Sequence, residues 1–190
     1  MLMSNATLTF SAALEDLVSR QQILDVLHRY CWGCDRSDAG VLQTCFHADA
    51  ITDHGGVVIR SFDWIEAALA WLEERVAVTH MITNPMIRVA GDRAISDCHF
   101  VGYNRKPKAG SEGWEETIVK GRYLDRFERR DGVWKIARRI GIHDMERVLD
   151  APPGANDVAG EHRSGKGPAD PFYALIAEFE ASPRGAERLS

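Results

Sequence analysis

The chain has 190 residues, of which 45% are hydrophobic and 27% are charged, and its formal net charge is -5. This composition is typical of one soluble globular domain, and the negative charge argues against nucleic acid as a partner. No apolar run is long enough for a membrane span, and the first residues lack the basic and apolar regions of a signal peptide. We therefore expect a cytoplasmic protein with no membrane partner.

The first part of the chain predicts helices that are separated by two short strands. Apolar residues recur every three or four positions from Leu14 to Cys34, which is typical of one face of an amphipathic helix. Asp38 and Ser61 precede two further apolar stripes, and both residue types commonly cap helices. The predicted elements are a helix over 14–34, a helix over 38–45, strands near 51 and over 57–60, and a helix over 61–75.

The next part predicts four long strands joined by tight turns. Gly91-Asp92 and Asp131-Gly132 are turn signals between runs of alternating residues. The predicted strands cover residues 79–89, 94–104, 114–128 and 133–142, with a loop over 105–113. Helices followed by an antiparallel meander indicate the α+β fold class.

The sequence divides into a core domain and two arms. Residues 1–12 are interpreted as a flexible arm, 13–149 as the α+β domain, and 150–190 as an irregular arm with a short C-terminal helix. Pro171 is suited to open that helix, and Phe172, Leu175 and Phe179 lie on one of its faces. Such a face has to be covered, either by the same barrel or by a neighbouring subunit.

Asp35 and His80 are the candidate catalytic residues. Asp35 follows the predicted first helix, where the partial negative charge of the helix end makes a carboxylate unfavourable. His80 begins the first long strand, and histidine is the side chain whose ordinary pKa lies nearest neutral pH. A carboxylate can fix the tautomer of a histidine and stabilise its charged form. The alternatives are a solvated turn residue for Asp35 and a core residue for His80.

Two further interpretations concern cysteines and metals. Cys31 and Cys34 form a C-x-x-C late in a helix, whereas redox pairs use a helix N-terminus to lower the thiol pKa. Buried core residues are therefore favoured over a redox role, which would need an exposed thiol. They are also favoured over a zinc site, because no second C-x-x-C supplies the remaining ligands. His47, His54 and His143 have acidic neighbours in sequence but no recognised ligand spacing, so we predict no metal site.

Three segments carry a family resemblance: RQQILDVLHRYCWGCDRSDAGVLQTCFHADA, THMITNP and GRYLDRFERRDGVWKIARR. Together they resemble the SnoaL-like proteins of the nuclear transport factor 2-like superfamily, over about residues 14–145. The resemblance implies a cone-shaped α+β barrel, in which a curved antiparallel sheet wraps around the N-terminal helices and leaves a deep, mainly apolar pocket. It is nearest to the scytalone dehydratase, hexachlorocyclohexane dehydrochlorinase and bile-acid 7α-dehydratase group. It also implies a homo-oligomer, with a trimer favoured over a dimer.

The resemblance implies roles for particular residues. Asp35 and His80 fall where those enzymes have a catalytic Asp and His, and Tyr30 matches a pocket tyrosine. Asp53-His54 stands where a second pocket tyrosine is expected, and His99 is the candidate for a second pocket histidine.

Arg138 and Arg139 are adjacent on the last strand and must face opposite sides. Trp134 and Ile136 share a side with Arg138 by simple alternation, so Arg139 is placed with Lys135. One of the two arginines can point inward and anchor a substrate oxygen, and Arg139 is our candidate.

These features predict a cofactor-independent lyase, a dehydratase or a related β-elimination enzyme, acting on a small hydrophobic cyclic or aromatic substrate through an Asp-His dyad. The same dyad would serve an isomerase or a retro-aldol-type lyase, for example one that releases formaldehyde from an aromatic diol. A small-molecule-binding module without chemistry is the third possibility, since this superfamily hosts many functions.

Overall fold

The computed structural model describes residues 9–155 and 163–182. The elements are α1 (Phe10–Asp35), α2 (Ala39–Thr44), β1 (Phe46–His54), β2 (Val57–Arg60), α3 (Ser61–Glu73), β3 (Ala77–Ala90), β4 (Arg93–Pro107), β5 (Trp114–Arg130), β6 (Val133–Ala151), a 3-10 turn (Gly167–Ala169) and α4 (Pro171–Ala181). Within these described ranges, no helix combines the length and apolar character that crossing a membrane requires.

Helix α1 begins four residues earlier than its apolar stripe predicts. The Thr9 side chain accepts a hydrogen bond from the Ala12 amide at 3.3 Å, which satisfies one of the free donors at the helix start. Residues 10–12 of the predicted flexible arm are therefore helical, while residues 1–8 lie outside the described part. Ile23 and Leu27 on the apolar face are fully buried and pack into the core.

The predicted N-cap of α2 is confirmed, and the predicted N-cap of α3 is wrong. Asp38 accepts from the Val41 amide at 2.9 Å, as an N-cap does. Ser61 is instead the first residue of α3, and its hydroxyl shares a 2.8 Å hydrogen bond with the Thr52 hydroxyl of β1. Burial of both hydroxyls favours this mutual bond, and the actual N-cap residue, Arg60, makes no side-chain capping bond.

The six strands form one sheet in the order β2-β1-β6-β5-β4-β3. Strands β3 to β6 form the predicted antiparallel meander, so the α+β fold class is confirmed. Strand β1 pairs with β6 in parallel, which makes the sheet mixed. The sheet is not closed: β2 and β3 are its two edges, and α1 packs against β3 and β6.

A β-bulge in β6 reverses the predicted directions of the two adjacent arginines. Arg126 pairs with Arg138 but Phe127 pairs with Ile136, so Ala137 is the extra residue. Trp134 and Ile136 are buried before the bulge, and after it Arg139 is buried while Arg138 is exposed. Placing Arg139 on the side opposite Trp134 was therefore wrong.

The last strand extends beyond its predicted end, and the predicted C-terminal helix is present. Strand β6 continues to Ala151, nine residues past the predicted end. Asp170 caps α4 by accepting from the Phe172 amide at 3.1 Å. Phe172, Leu175 and Phe179 of α4 are 45%, 55% and 61% exposed, so the described chain leaves this face uncovered. Its burial against another subunit stays a prediction, and residues 156–162 lie outside the described part.

Candidate active site

Asp35 and His80 lie in direct contact although 45 residues separate them in the chain. Asp35 is the last residue of α1, and its Oδ1 accepts two hydrogen bonds from His80: one from the backbone amide at 2.8 Å and one from ring Nδ1 at 2.7 Å. Their side chains are 19% and 18% exposed, respectively. A carboxylate acceptor at Nδ1 places the proton of the neutral imidazole there, so Nε2 carries the free lone pair.

The imidazole of His80 lines a cavity of about 420 Å³ between the helices and the concave side of the sheet. Apolar and aromatic side chains dominate its walls, as in most small-molecule sites. The lining residues with carbon-rich side chains include Trp64, Ala67, Ala68, Trp71, Leu72, Val78, Phe100 and Val119. Surface depressions of comparable volume occur elsewhere, but His80 and the polar groups discussed below converge on this one.

Asp35 lies behind His80 as seen from the cavity. It lines a separate, smaller depression together with His28, Trp32 and Arg36, and only His80 is common to both spaces. Gly102 is the β4 partner of His80, and a Cβ added there would lie 3.7 Å from Nε2. The glycine therefore leaves open the space beside the lone pair. In this arrangement Nε2 can contact a molecule bound in the cavity, whereas Asp35 does not line the cavity.

Tyr30 also lines this cavity, one helical turn and one residue before Asp35. Its ring packs edge-on against Phe46 and Tyr123, with centroids 5.8 and 5.7 Å away. Burial raises the pKa of Tyr30, so the phenol stays protonated at physiological pH. Its hydroxyl interacts with the Cys34 thiol, a weak acceptor, and a bound oxygen in the cavity would be a stronger acceptor for the same proton.

Arg139 lies beneath the cavity wall and does not line the cavity. Its guanidinium carbon is 4.1 Å from the ring centroids of both Tyr30 and Tyr123, a close cation–π arrangement. Nε and Nη2 donate to the two carboxylate oxygens of Asp125 at 2.7 and 2.8 Å. Arg139 is fully buried, and a charge so placed needs its partner. Arg139 is therefore placed to support the rings of Tyr30 and Tyr123.

Removing the Arg139 charge should destabilise the fold strongly. In Arg139→Met the Asp125 carboxylate would remain buried without its partner, and breaking a buried pair costs about 3–5 kcal/mol. Urea unfolding followed by circular dichroism measures this loss. The double variant Arg139→Met/Asp125→Leu removes both charges and should recover most of it. A single variant as stable as the wild type would contradict the importance of the pair.

His99 does not join the site. Inward positions on β4 are the buried even-numbered ones, such as Cys98 and Phe100, whereas His99 is exposed on the outer face. It pairs across the sheet with Thr83 and Arg122. The predicted role of His99 in substrate binding thus has no geometric support, because the alternation of the strand turns the imidazole away from the cavity.

Comparison with known proteins places these observations in a family. The SnoaL-like domain family matches residues 15–140, which is well over half of the chain. The chain belongs to the SnoaL-like family. Comparison with curated proteins gave no match.

Solved structures share the fold of this SnoaL-like protein at low sequence identity. A type 2 hexachlorocyclohexane dehydrochlorinase has a TM-score of 0.62 at 22% identity, covering 73% of this chain and 96% of that one. The type 3 enzyme from Novosphingobium barchaimii has a TM-score of 0.63 at 21% identity, covering 76% and 97%. A candidate scytalone dehydratase from Novosphingobium aromaticivorans has a TM-score of 0.61 at 21% identity, covering 75% and 97%.

The cavity of this SnoaL-like protein is also lined by polar residues that the sequence did not indicate. His54 and His143 have ring centroids 5.9 Å apart, and Asn104 and Glu146 are among the other lining residues. The available signal was Asp53-His54 standing where a pocket tyrosine was expected. In the sequence, the acidic neighbours of His54 and His143 indicate only candidate metal ligands, although a histidine that binds no metal can still contact a substrate.

Cys31 and Cys34 are both buried free thiols. Burial raises the pKa of Cys31 to about 12, and burial likewise raises the pKa of Cys34. The thiolate is the reactive form of cysteine, so these positions disfavour redox exchange. The core interpretation is the one that their packing supports.

Proposed function

We propose that this protein is a cofactor-independent lyase that eliminates a β leaving group, with water as the first candidate, from a small hydrophobic cyclic or aromatic substrate. The observation that carries the proposal is the orientation of His80. One ring nitrogen is bound to Asp35 at 2.7 Å, and the ring itself forms part of the wall of a largely apolar cavity.

In the proposed reaction, Nε2 of His80 removes a proton from a carbon next to an activating group. Asp35 holds the imidazole in the tautomer with a free Nε2 and stabilises the positive charge that develops. The electron pair of the broken C–H bond forms the new double bond, and the leaving group departs with its own bonding pair. Tyr30 is a protonated donor on the same cavity wall and can assist that departure.

The surroundings of the dyad suit such chemistry. Aromatic walls exclude water, and in a dry site the few electrostatic contacts are stronger than they would be in solution. A cavity of about 420 Å³ is at the small end of the range for small-molecule sites. Its size and lining favour one or two fused rings over an extended chain or a highly charged metabolite.

The proposal is tested by screening cyclic and aromatic alcohols, including steroid-like ones, for a rise in ultraviolet absorbance as a conjugated alkene forms. We expect at least one compound to give an alkene product, identified by mass spectrometry, with native but not heat-denatured protein. Compounds that bind without any turnover would support a binding module instead. Turnover that yields a shifted double bond, or a released aldehyde, would indicate isomerase or retro-aldol chemistry on the same dyad.

A further inference from the structure

The C-terminal segment, residues 163–182, connects two of the helices that surround the cavity. It consists of the 3-10 turn and α4 with their flanking residues. One side of the segment contacts the end of α1, where Asp35 lies, and the other side contacts the end of α3. Five residues of α3 line the cavity: Trp64, Ala67, Ala68, Trp71 and Leu72. The segment is therefore placed to affect access to the cavity.

The turn that carries Lys166 is fixed to the end of α1. The Gly167 amide donates to the Arg36 carbonyl at 2.7 Å. The Asp170 side chain forms an ion pair with Arg36 at 3.3 Å and accepts from the Gly165 amide at 3.1 Å. Asp170 is buried, so salt screens this ion pair less than it would a surface pair. Both chain neighbours of Lys166 are thus held in place.

Aromatic contacts hold α4 on the same side. Phe172 and Tyr173 pack against Trp32 of α1, with ring centroids 6.3 and 5.4 Å away. The Tyr173 hydroxyl also donates to Asp38, the N-cap of α2. An isolated helix of 11 residues is marginal in water. These contacts with α1 and α2 therefore keep α4 folded and anchor the whole segment.

Lys166 reaches from the anchored turn to the C-terminal end of α3. Its Nζ donates to the carbonyls of Leu72 at 3.0 Å and Glu73 at 2.8 Å, and it lies 3.5 Å from the Glu73 carboxylate. The last carbonyls of a helix lack partners within the helix and carry partial negative charge, so an ammonium group is favourable there. Because Leu72 lines the cavity, Lys166 stabilises the wall directly.

The last turns of α3 have few other attachments. Of residues 67–73, only Leu72 is buried. Trp71 lines the cavity and is nevertheless 48% exposed, so it lies between the cavity and solvent. Arg75 lies 3.2 Å from the centre of the Trp71 ring, and it donates to Asn104 of β4 at 3.2 Å. The start of α3 is fixed to β1. The exposed last turn, which is fixed on both sides, is thus the part of α3 that can open locally.

We propose that the last turn of α3 is a gate of the cavity and that Lys166 is its latch. While the ammonium group binds the carbonyls of Leu72 and Glu73, the turn is helical and Trp71 closes the wall. When the ammonium group leaves, the turn unwinds and a ligand can pass. The inference goes beyond the proposed reaction, because it concerns passage into the cavity and requires no particular chemistry there.

Hydrogen exchange of the full chain, followed by mass spectrometry, tests the latch. Lys166→Met keeps most of the side-chain stem and removes the charge and its donors. We expect the amides of residues 70–75 to exchange about 3- to 10-fold faster, the effect of losing hydrogen bonds and a charge at a helix end. Amides of β5 should exchange as in the wild type. Lys166→Arg retains the charge and the donors and should restore slow exchange.

A second variant weakens the anchor and leaves Lys166 unchanged. Asp170→Ala removes the ion pair with Arg36 and the acceptor that holds the turn, so the same amides of α3 should again exchange faster. Lys108→Met is the matched control. Lys108 is 38% exposed and pairs with Asp150, much as Lys166 is 31% exposed and pairs with a carboxylate, but it lies in the loop after β4. Its replacement should leave exchange in α3 unchanged.

Ligand exchange distinguishes a gate from a helix cap. Prodan, an uncharged two-ring fluorophore, reports entry and exit by stopped-flow fluorescence. Passage through an open state makes both rates follow its population, so in Lys166→Met both should rise about 3- to 10-fold, as the amide exchange does, with little change in the dissociation constant.

Three results would overturn the proposal. Amide exchange within twofold of the wild type in both Lys166→Met and Asp170→Ala would remove the latch. Faster amide exchange with unchanged entry and exit rates would make Lys166 a helix cap alone. Failure of wild type and variant alike to take up Prodan would remove the gate, since a cavity of about 420 Å³ that opens should admit two fused rings.

Neither measurement involves turnover, so the gate and the lyase can fail separately. Faster passage in Lys166→Met together with a His80-independent reaction would leave a gated binding pocket without the proposed elimination. Unchanged passage together with a His80-dependent elimination would remove the gate and keep the lyase.

Discussion

Replacing His80 by glutamine should lower kcat by about 10²- to 10⁴-fold on any substrate that the protein converts, the usual contribution of a positioned acid–base group. Glutamine is polar and similar in size, so it preserves the cavity wall but provides no basic nitrogen at neutral pH. The backbone amide at position 80 would still donate to Asp35, which keeps the end of α1 in place. We therefore expect kcat to change far more than KM, as steady-state kinetics would show.

The matched control for this variant is His99→Gln. His99 is on the next strand, but it is exposed on the outer face, so its replacement should leave kcat unchanged. Product binding, measured by calorimetry, should be within a few-fold of the wild type in both variants. A correctly folded His80→Gln protein that turns over substrate at the wild-type rate would remove the proposed mechanism. Equal losses in the two variants would indicate a general effect on the sheet.

The positions of Asp35 and His80 could be predicted from the sequence, because each of the two follows from a local pattern. The apolar stripe of α1 ends at Cys34, next to Asp35, and alternation from Val78 onward directs His80 inward. Contact between them depends on α1 packing against β3, which no local pattern specifies. Only the family resemblance indicated that Asp35 and His80 are in contact.

The direction of Arg139 could not be predicted, because alternation along a strand holds only while the pairing is regular. The extra residue at Ala137 shifts the register, and the side chains from Arg138 up to the next bulge of β6 change sides. A second shift between Lys120 and Gly121 leaves Asp144 as an extra residue, so that both His143 and Glu146 face the cavity. Bulges carry weak sequence signals, and here two of them decide which residues of the last strand reach the site.

The position of His54 in the cavity wall was missed for a different reason. Parallel pairing between β1 and β6 brings His54 over Gly141, 87 residues later in the chain, where an added Cβ would lie 2.4 Å from Nδ1 of His54. The predicted fold had an antiparallel sheet, and in it the short first strand had no assigned neighbour. A glycine that accommodates a ring is visible only after that neighbour is known. This explains why a histidine beside an aspartate in sequence was weighed as a metal ligand alone.

The Asp35→Asn variant tests whether the carboxylate contributes charge as well as orientation. Asparagine keeps an oxygen acceptor for the His80 amide and for Nδ1, so the imidazole can stay in place. It cannot stabilise the imidazolium that forms during proton removal, and we expect kcat to fall by about 10²- to 10⁴-fold. The measurement is kcat and KM on the same substrate, with KM close to that of the wild type.

Asp35→Asn should leave the stability of the protein nearly unchanged or raise it slightly. Asp35 lies at the C-terminal end of α1, where the helix repels a negative charge, an effect of about 0.3–1 kcal/mol. Neutralising it removes this repulsion, which offsets the weaker hydrogen bonds to His80. We expect the free energy of unfolding to stay within about 1 kcal/mol of the wild type. A large loss of activity without a loss of stability is the signature of a residue kept for chemistry.

Asp38→Asn is the matched control, since it makes the same change three residues later. Asp38 caps α2, and asparagine caps helices about as well as aspartate. The Tyr173 hydroxyl, which donates to Oδ2 of Asp38, can accept from the new amide instead. Both activity and stability should therefore be close to the wild type. If Asp35→Asn retained more than a third of wild-type kcat, the carboxylate would be a structural acceptor only. His80 would then act as a base without a charged partner, and the small depression behind it would have no part in the reaction.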